Sequence, residues 1–175
     1  HISKKPSVEQ VETSQALGRV TAEAILAPHP LPEFRRSTVD GYAVRAADTH
    51  GASESLPVYL ELVGELPMGA TPELSISPNQ CALIHTGGML PEGADAAVML
   101  EYTQQARETE IEVLRAAAAA ENVIEIGEDV SDGQQVISQG TRLRPAEMGG
   151  LMALGITELH VARKPRVAIL SSGDE

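Results

Sequence analysis

The chain has 175 residues, of which 42% are hydrophobic, 22% are charged and 2% are aromatic. These proportions are typical of a folded globular protein with an aliphatic core and exclude a disordered chain. The 13 basic and 25 acidic residues give a net charge of −12, which opposes binding to nucleic acid. The single cysteine, Cys81, cannot form an intrachain disulfide, and no apolar run reaches the length of a membrane span. We therefore expect a cytoplasmic protein that binds neither nucleic acid nor a membrane.

The start of the chain mixes several local patterns. Residues 8–12 alternate weakly between apolar and polar side chains. A helix is predicted over residues 13–24, with a hydroxyl side chain as its cap, although Gly18 is unfavourable inside it. Prolines at alternate positions over residues 28–32 exclude regular helix, so we expect this segment to be extended.

Short alternating runs separated by proline and glycine begin near Thr49 and predict strands. Their regular spacing is typical of a small β sandwich or barrel. The alanine run over residues 116–120 has no polar face, and we interpret it as a loop or one helical turn. The predicted strands cover residues 58–62, 74–76, 81–84, 96–100, 111–113 and 123–126.

A helical pattern returns near the end of the chain. Pro145 begins and Gly155 ends a predicted helix with an apolar stripe, and residues 156–161 follow as a strand. Residues 166–170 begin with Arg166 and continue as an apolar run without alternation, which precedes a Ser/Gly turn, as at the start of a parallel α/β domain. We expect that domain to continue past residue 175.

Several stretches place a carboxylate or hydroxyl beside a glycine, where the backbone turns tightly and can approach a ligand closely. Any one of them alone is best explained as an ordinary turn, and their combination and order make them informative. The stretches are Ser37-Thr38-Val39-Asp40-Gly41-Tyr42-Ala43-Val44-Arg45, Thr86-Gly87 with the following residues 90–96, Gly127-Glu128-Asp129, and Ser172-Gly173-Asp174-Glu175.

With these four motifs in this order, the chain resembles the molybdopterin molybdotransferases, the MoeA-like proteins of molybdenum cofactor biosynthesis. The E domains of animal gephyrin and of its plant counterpart belong to the same family. The resemblance extends from about Ala16 to the last residue. It implies an N-terminal fragment, because the family has a longer helical segment before residue 1 and most of a nucleotide-type domain after residue 175.

The resemblance also implies a domain layout of the α+β class. A mixed first domain, residues 1–47 and 129–162, would be interrupted by an inserted β-rich barrel-like or sandwich-like domain at residues 48–128. Residues 163–175 would begin a truncated α/β domain that binds molybdopterin. In this family the active cleft is completed across a homodimer, so the fragment alone is expected to be inactive.

The chemistry that the resemblance implies is Mg²⁺-dependent. Family members bind adenylylated molybdopterin and molybdate, insert molybdenum into the dithiolene and release AMP. Carboxylate oxygens are preferred ligands of Mg²⁺, which neutralises phosphate oxygens. The catalytic positions implied are Asp40, Thr86, Asp129 and Glu175. The positions implied for binding the pterin substrate are Ser37, Gly41, Gly87, Ser172 and Gly173, and those for the metal are Asp40, Asp174 and Glu175.

The chain departs from the family pattern at two positions. Leu83 stands where many relatives have arginine, and Gly88 stands where alanine often follows the Thr-Gly pair. Two alternatives stay open. The resemblance to the gephyrin E domain allows a peptide-binding scaffold, and the missing cation at Leu83 allows a dimerisation and interaction module without catalysis. The histidines are scattered without zinc-site spacing, and a lone one such as His85 more often has a structural role than a ligand contact.

Overall fold

The computed structural model describes residues 7–173, which divide into two compact units. Unit 1 combines the chain up to residue 29 with the chain from residue 130 onward, and unit 2 comprises residues 30–129. β structure predominates, and the one α-helix among the described residues lies in unit 1. None of the helices in this part of the chain is long and apolar enough to cross a membrane.

The regular elements of the described residues are short strands, one α-helix and three 3-10 turns. The 3-10 turns are Thr13–Gln15, Ala46–Thr49 and Leu100–Tyr102. The other elements are β1 Val8–Glu12, β2 Ile25–Leu26, β3 Arg36–Ser37, β4 Gly41–Val44, β5 Val58–Glu65, β6 Gln80–Ile84, β7 Ala96–Met99, β8 Thr103–Arg107, β9 Glu110–Val113, β10 Val123–Ile124, β11 Gln135–Ile137, α1 Pro145–Ala153 and β12 Glu158–Ala162.

Unit 1 packs the helix α1 against small antiparallel ladders. Strand β1 pairs with β12, and β2 pairs with β11. Pro145 occupies the first helical position, and the Glu147 carboxylate accepts a hydrogen bond from the Arg144 backbone amide at 2.9 Å, which closes a capping box. The core cluster of this unit consists of the buried apolar side chains Ala16, Ile137, Leu143, Leu151, Leu159 and Val161.

Unit 2 is built on a six-stranded sheet in the order β7-β4-β6-β5-β9-β8. Only β5 and β6 run parallel among these strands, and the other neighbours are antiparallel. Successive residues of β4 belong to different cores, since Ala43 packs in a cluster with Ile84 whereas Val44 packs in a cluster with Leu60. Strands β4, β6 and β7 are therefore covered on both faces and contain mainly aliphatic residues, whereas the edge strand β8 is polar and largely exposed.

The structure confirms most of the predicted elements. Strands lie at the predicted positions around residues 58–62, 81–84, 96–100 and 111–113, and the helix from Pro145 is present. Strand β12 covers most of the strand predicted at 156–161. The alanine run over residues 116–120 is a loop without regular structure, which was one of the two interpretations of its sequence.

Three predicted elements are wrong. The helix predicted over residues 13–24 is only a 3-10 turn, because Gly18 adopts a φ of 73° and the Thr13 hydroxyl bonds the Ile156 carbonyl at 2.7 Å instead of capping a helix. Residues 74–76 form only an isolated bridge. The strand predicted over residues 166–170 does not form among the described residues, because the segment is exposed and has no neighbouring strand.

The boundaries of the compact units differ from those of the implied domains. Unit 2 begins at residue 30, whereas the inserted domain was predicted to begin at residue 48. Strand β4, which precedes residue 48, lies in the middle of the unit 2 sheet. The assignment of either unit to a family domain stays a prediction.

Candidate functional site

The position of Asp40 is determined by Gly41, the first residue of the central strand β4. Gly41 pairs with Ile84 of β6 on one side and with Met99 of β7 on the other. A Cβ atom at Gly41 would lie 1.9 Å from the Val98 carbonyl oxygen, which no side chain could tolerate. The Asp40 carbonyl accepts a hydrogen bond from the Leu100 amide at 3.1 Å. The backbone that carries the Asp40 carboxylate is therefore fixed by both neighbouring strands.

Thr86 lies in a tight turn that follows the end of strand β6. The Gly88 amide donates to the His85 carbonyl at 2.8 Å, and Gly87 between them has a φ of 84°. Ser37 fastens this turn, since its carbonyl accepts from the Gly87 amide at 2.8 Å and its amide donates to the Gly88 carbonyl at 2.9 Å. Because β4 and β6 are antiparallel neighbours, the end of β6 lies beside the start of β4.

Asp40 and Thr86 meet at this junction through two hydrogen bonds. Oδ1 of Asp40 accepts from the Thr86 backbone amide at 2.8 Å and from the Thr86 hydroxyl at 3.2 Å. The backbone hydrogen bond lowers the pKa of Asp40 below its ordinary value of 3.8, and the hydroxyl and His85 act in the same direction while desolvation opposes them. The side chain is 60% exposed, so an ionised carboxylate faces solvent beside a hydroxyl.

Two further side chains extend the cluster. The Nε2 atom of His85 lies 2.8 Å from Oε1 of Glu65, and its Nδ1 atom lies 3.8 Å from Oδ1 of Asp40. Sequence reasoning did not find Glu65, and it treated His85 as a structural residue. The available signal was Gly64, which lies two residues after the predicted strand 58–62 and inside the observed strand β5, where a glycine often marks a bulge.

The structure brings together five of the residues named from sequence. Ser37, Asp40, Gly41, Thr86 and Gly87 all belong to the two segments that meet at this junction. The Ser37 hydroxyl is buried and donates to the Val39 carbonyl at 2.7 Å, so its visible role is to shape the loop before Asp40.

Asp129 lies elsewhere in unit 2. Residues 31–38 and 122–129 run antiparallel, with the Thr38 amide donating to Asn122 at one end and the Asp129 amide donating to Leu31 at the other. Among the described residues, no hydrogen bond or ion pair joins Asp129 to Asp40 or Thr86. The structure does not place the Asp129 carboxylate in direct contact with the Asp40 cluster.

Four predicted site residues form the motif Ser172-Gly173-Asp174-Glu175 at the end of the chain. Ser172 and Gly173 belong to unit 1, where they are exposed in a stretch without regular structure. Asp174 and Glu175 lie outside the described residues. Their predicted roles in metal and substrate binding stay predictions.

The two departures from the family pattern have different surroundings. Leu83 is partly buried in β6, opposite Tyr42 of β4 and Glu65 of β5. Gly88 is buried, and a Cβ atom there would lie 2.9 Å from the His85 carbonyl oxygen and 3.0 Å from Cγ1 of Ile84. Glycine at position 88 thus permits the turn to close tightly on His85.

The Asp40 carboxylate fits one ligand of a Mg²⁺ ion whose other ligands would be waters and a substrate phosphate. Within the described residues, no group of three or more His, Cys, Asp or Glu side chains could enclose a metal ion. Mg²⁺ commonly binds through one or two carboxylates, with waters and substrate phosphates completing its shell. Asp40 fits that pattern, because its described hydrogen bonds all go to Oδ1 and leave Oδ2 without a protein donor.

Comparison with known proteins agrees with the order of the motifs and with the fold. A family model described as the MoeA N-terminal region (domain I and II) matches residues 1–155. The molybdopterin molybdenumtransferase of Bacillus subtilis is 38% identical over 178 residues, which covers 100% of this chain and 41% of that protein. Gephyrin of Dictyostelium discoideum is 33% identical, covering 96% of this chain and 24% of that protein.

A solved structure leads to the same conclusion. The molybdopterin biosynthesis moeA protein from Pyrococcus horikoshii superposes with a TM-score of 0.86 and 38% identity, covering 91% of this chain and 42% of that one. A two-unit, β-rich chain with paired Asp-Gly and Thr-Gly motifs is thus matched in both sequence and fold. The chain belongs to the MoeA N-terminal region family, and it spans about two fifths of the length of the transferase relatives it matches.

Proposed function

We propose that the protein containing this chain acts in molybdenum cofactor biosynthesis as a molybdopterin molybdenumtransferase. It would insert molybdenum from molybdate into adenylylated molybdopterin and release AMP. The observation that carries this proposal is the ionised Asp40 carboxylate, which Thr86 holds at the junction of two central strands. The similarity of the chain to molybdopterin molybdenumtransferases of several bacteria supports the same reaction class.

In this proposal Asp40 supplies a carboxylate oxygen to Mg²⁺. When bound, Mg²⁺ would neutralise phosphate oxygens of the adenylylated substrate and so favour cleavage of its pyrophosphate bond. Thr86 orients the Asp40 carboxylate through its amide. Its hydroxyl, which donates to Oδ1 in the structure, would turn away from Asp40 to donate a hydrogen bond to a bound anion. Gly41, Gly87 and Ser37 contribute by shaping the backbone around these two side chains.

The remaining predicted positions belong to the proposal without direct structural support. Asp129 would complete the catalytic set, Ser172 and Gly173 would contact the substrate, and Asp174 and Glu175 would add metal ligands. We further propose a cytoplasmic homodimer whose cleft is completed by the partner. A chain that ends before the cleft is complete would then be inactive by itself.

The decisive experiment measures molybdate-dependent AMP release from adenylylated molybdopterin, with Mg²⁺, by the whole protein. We expect release by the wild type and its loss in Asp40→Ala, with unchanged circular dichroism. Glu54→Ala, which removes an exposed carboxylate elsewhere in unit 2, is the matched control and should retain release. A fully active Asp40→Ala protein would refute the site.

Absence of AMP release from a folded wild-type protein would refute the transferase itself. In that case the non-catalytic alternative, a scaffold that binds peptides, becomes the better hypothesis. Binding of peptide ligands by the same preparation would then distinguish a scaffold from a bare dimerisation module.

A further inference from the structure

Strand β5 contains an irregularity that directs Glu65 toward the Asp40 site. Leu62 pairs with Cys81 and Glu65 pairs with Leu83, so three steps along β5 correspond to two steps along β6. Gly64 lies within this bulge with a φ of 154°, a conformation that other residues rarely adopt. Because side chains alternate between faces along a strand, the extra residue moves Glu65 to the face that carries Leu83.

The bulge creates a chain of contacts that ends at Asp40. His85 lies two residues beyond Leu83 and so projects on the same face of β6. Its ring nitrogens lie 2.8 Å from Oε1 of Glu65 and 3.8 Å from Oδ1 of Asp40. Oδ1 is also the atom that accepts both hydrogen bonds from Thr86. Every described contact of the Asp40 carboxylate therefore converges on one oxygen.

We propose that Glu65 and His85 are positioning residues for Asp40. Glu65 holds the imidazole ring through the 2.8 Å contact with Nε2. The ring packs beside Oδ1 at 3.8 Å, a distance too long for a hydrogen bond, while Thr86 bonds Oδ1 directly, so that Oδ2 remains available to a ligand. Neither Glu65 nor His85 is assigned as a ligand. Outer residues that orient a ligating carboxylate typically change affinity or activity by about 10-fold to 100-fold when they are removed. The inference rests on the proposed function for its chemistry, whereas the geometry itself can be tested without activity.

The first test follows the Thr86 amide, which donates to Asp40. Hydrogen exchange at this amide is measured in the whole protein for the wild type, Glu65→Ala, His85→Ala and the double variant. We expect exchange to be about tenfold faster in His85→Ala, because the carboxylate that accepts this hydrogen bond is less restrained. Glu65→Ala should exchange faster than wild type, and the double variant should match His85→Ala.

A matched control lies on the same strand. Glu61 accepts a hydrogen bond from the Gln80 side chain at 2.9 Å and is exposed like Glu65, so Glu61→Ala should leave Thr86 exchange unchanged. His85→Asn, which keeps a planar polar side chain beside Oδ1, should restore part of the protection. If the His85→Ala variant does not fold, His85→Asn takes its place in the comparison of single and double variants.

The inference is overturned if Thr86 exchange is unchanged in His85→Ala. It is also overturned if Glu65→Ala still accelerates exchange in the His85→Ala background, because Glu65 would then act by another route. In the activity assay, His85→Ala and Glu65→Ala should lower kcat for AMP release by about tenfold with less change in KM, and Glu61→Ala should not. If the wild type releases no AMP, the proposed function fails, but the exchange measurements still decide the positioning role.

Discussion

The backbone amide of Thr86 donates to Oδ1 of Asp40 at 2.8 Å, which joins two motifs that lie 46 residues apart in the sequence. This contact exists because the strand that begins at Gly41 is hydrogen-bonded to the strand that ends at Ile84. The pairing of two central strands, rather than a flexible loop, thus sets the geometry of the site. A site on rigid elements holds its groups more accurately than one on loops alone.

Removing the Thr86 hydroxyl should change Asp40 only in part. In Thr86→Val we expect the pKa of Asp40 to rise toward 3.8 without losing its whole depression, because the backbone amide, the largest cause, remains. Thr86→Ser should leave the pKa unchanged. Carbon-detected NMR titration of aspartate carboxyl groups measures both. An unchanged pKa in Thr86→Val would show that the hydroxyl does not contribute. Under the proposed function, AMP release should fall by about 100-fold in Thr86→Val.

Gly41→Ala should be severely destabilising. The added Cβ would lie 1.9 Å from the Val98 carbonyl oxygen and 3.1 Å from the Met99 Cα, both of which are backbone atoms that cannot rotate away. We expect a loss of about 3 kcal/mol or more in the free energy of unfolding, at or above the upper end for overpacked sites. Urea unfolding followed by circular dichroism measures the change.

A second glycine provides the contrasting case. Gly149 lies inside helix α1, and a Cβ atom there would meet nothing within 4 Å. Gly149→Ala should therefore stabilise the protein by about 0.5–1 kcal/mol through helix propensity alone. Destabilisation of similar size in both variants would contradict the steric explanation for Gly41.

The elements that could be predicted from sequence are those with local signals at both ends. Helix α1 begins at a proline and ends before Gly155, whose φ is 66°. Strands β5, β6, β7 and β9 of unit 2 are short runs between turn residues, and each was located to within a few residues, whereas β3, β4 and β8 were not predicted as strands. Asp40 and Thr86 were both named, although only the family resemblance connected them.

The remaining features depend on contacts that no local pattern encodes. Residues 13–24 contain good helix formers, yet Thr13 and Thr21 are buried and use their hydroxyls to bond distant carbonyls. Residues 166–170 have a strand-like composition but no described neighbour to pair with. Glu65 reaches the site only because of a one-residue bulge, and a shift of one residue reverses the face on which a side chain lies.

Thr49 is expected to support the loop that contains the alanine run. Its buried hydroxyl donates to the Ala46 carbonyl at 2.8 Å and accepts from the Ala117 amide at 2.9 Å. Thr49→Val keeps the shape but leaves these backbone groups without a partner, at a cost of about 1–3 kcal/mol. Thr49→Ser retains the hydroxyl and should cost about 1 kcal/mol for the lost methyl group. Equal stability of Thr49→Val and wild type in urea unfolding would contradict this role.

The capping residue Glu147 should make unit 1 sensitive to acid. Hydrogen bonds from the Arg144 side chain are the largest cause that lowers the pKa of Glu147 from 4.5 to about 2. Because the folded pKa is depressed, the stabilisation is fully present above pH 4.5 and is lost as the pH falls toward 2. Glu147→Gln should therefore be less stable than wild type at pH 7, and the difference should vanish near pH 2.

Arg144→Gln tests whether the Arg144 side chain is what lowers the pKa of Glu147. It removes the partner that lowers the Glu147 pKa and should reduce the pH dependence of stability in the same direction as Glu147→Gln. The double variant should lose little more stability than either single variant, since both substitutions remove the same Arg144–Glu147 interaction. Urea unfolding at several pH values between 7 and 2 measures all four proteins. A stability difference that is as large at pH 2 as at pH 7 would show that Glu147 acts through packing of its side chain rather than through its charge.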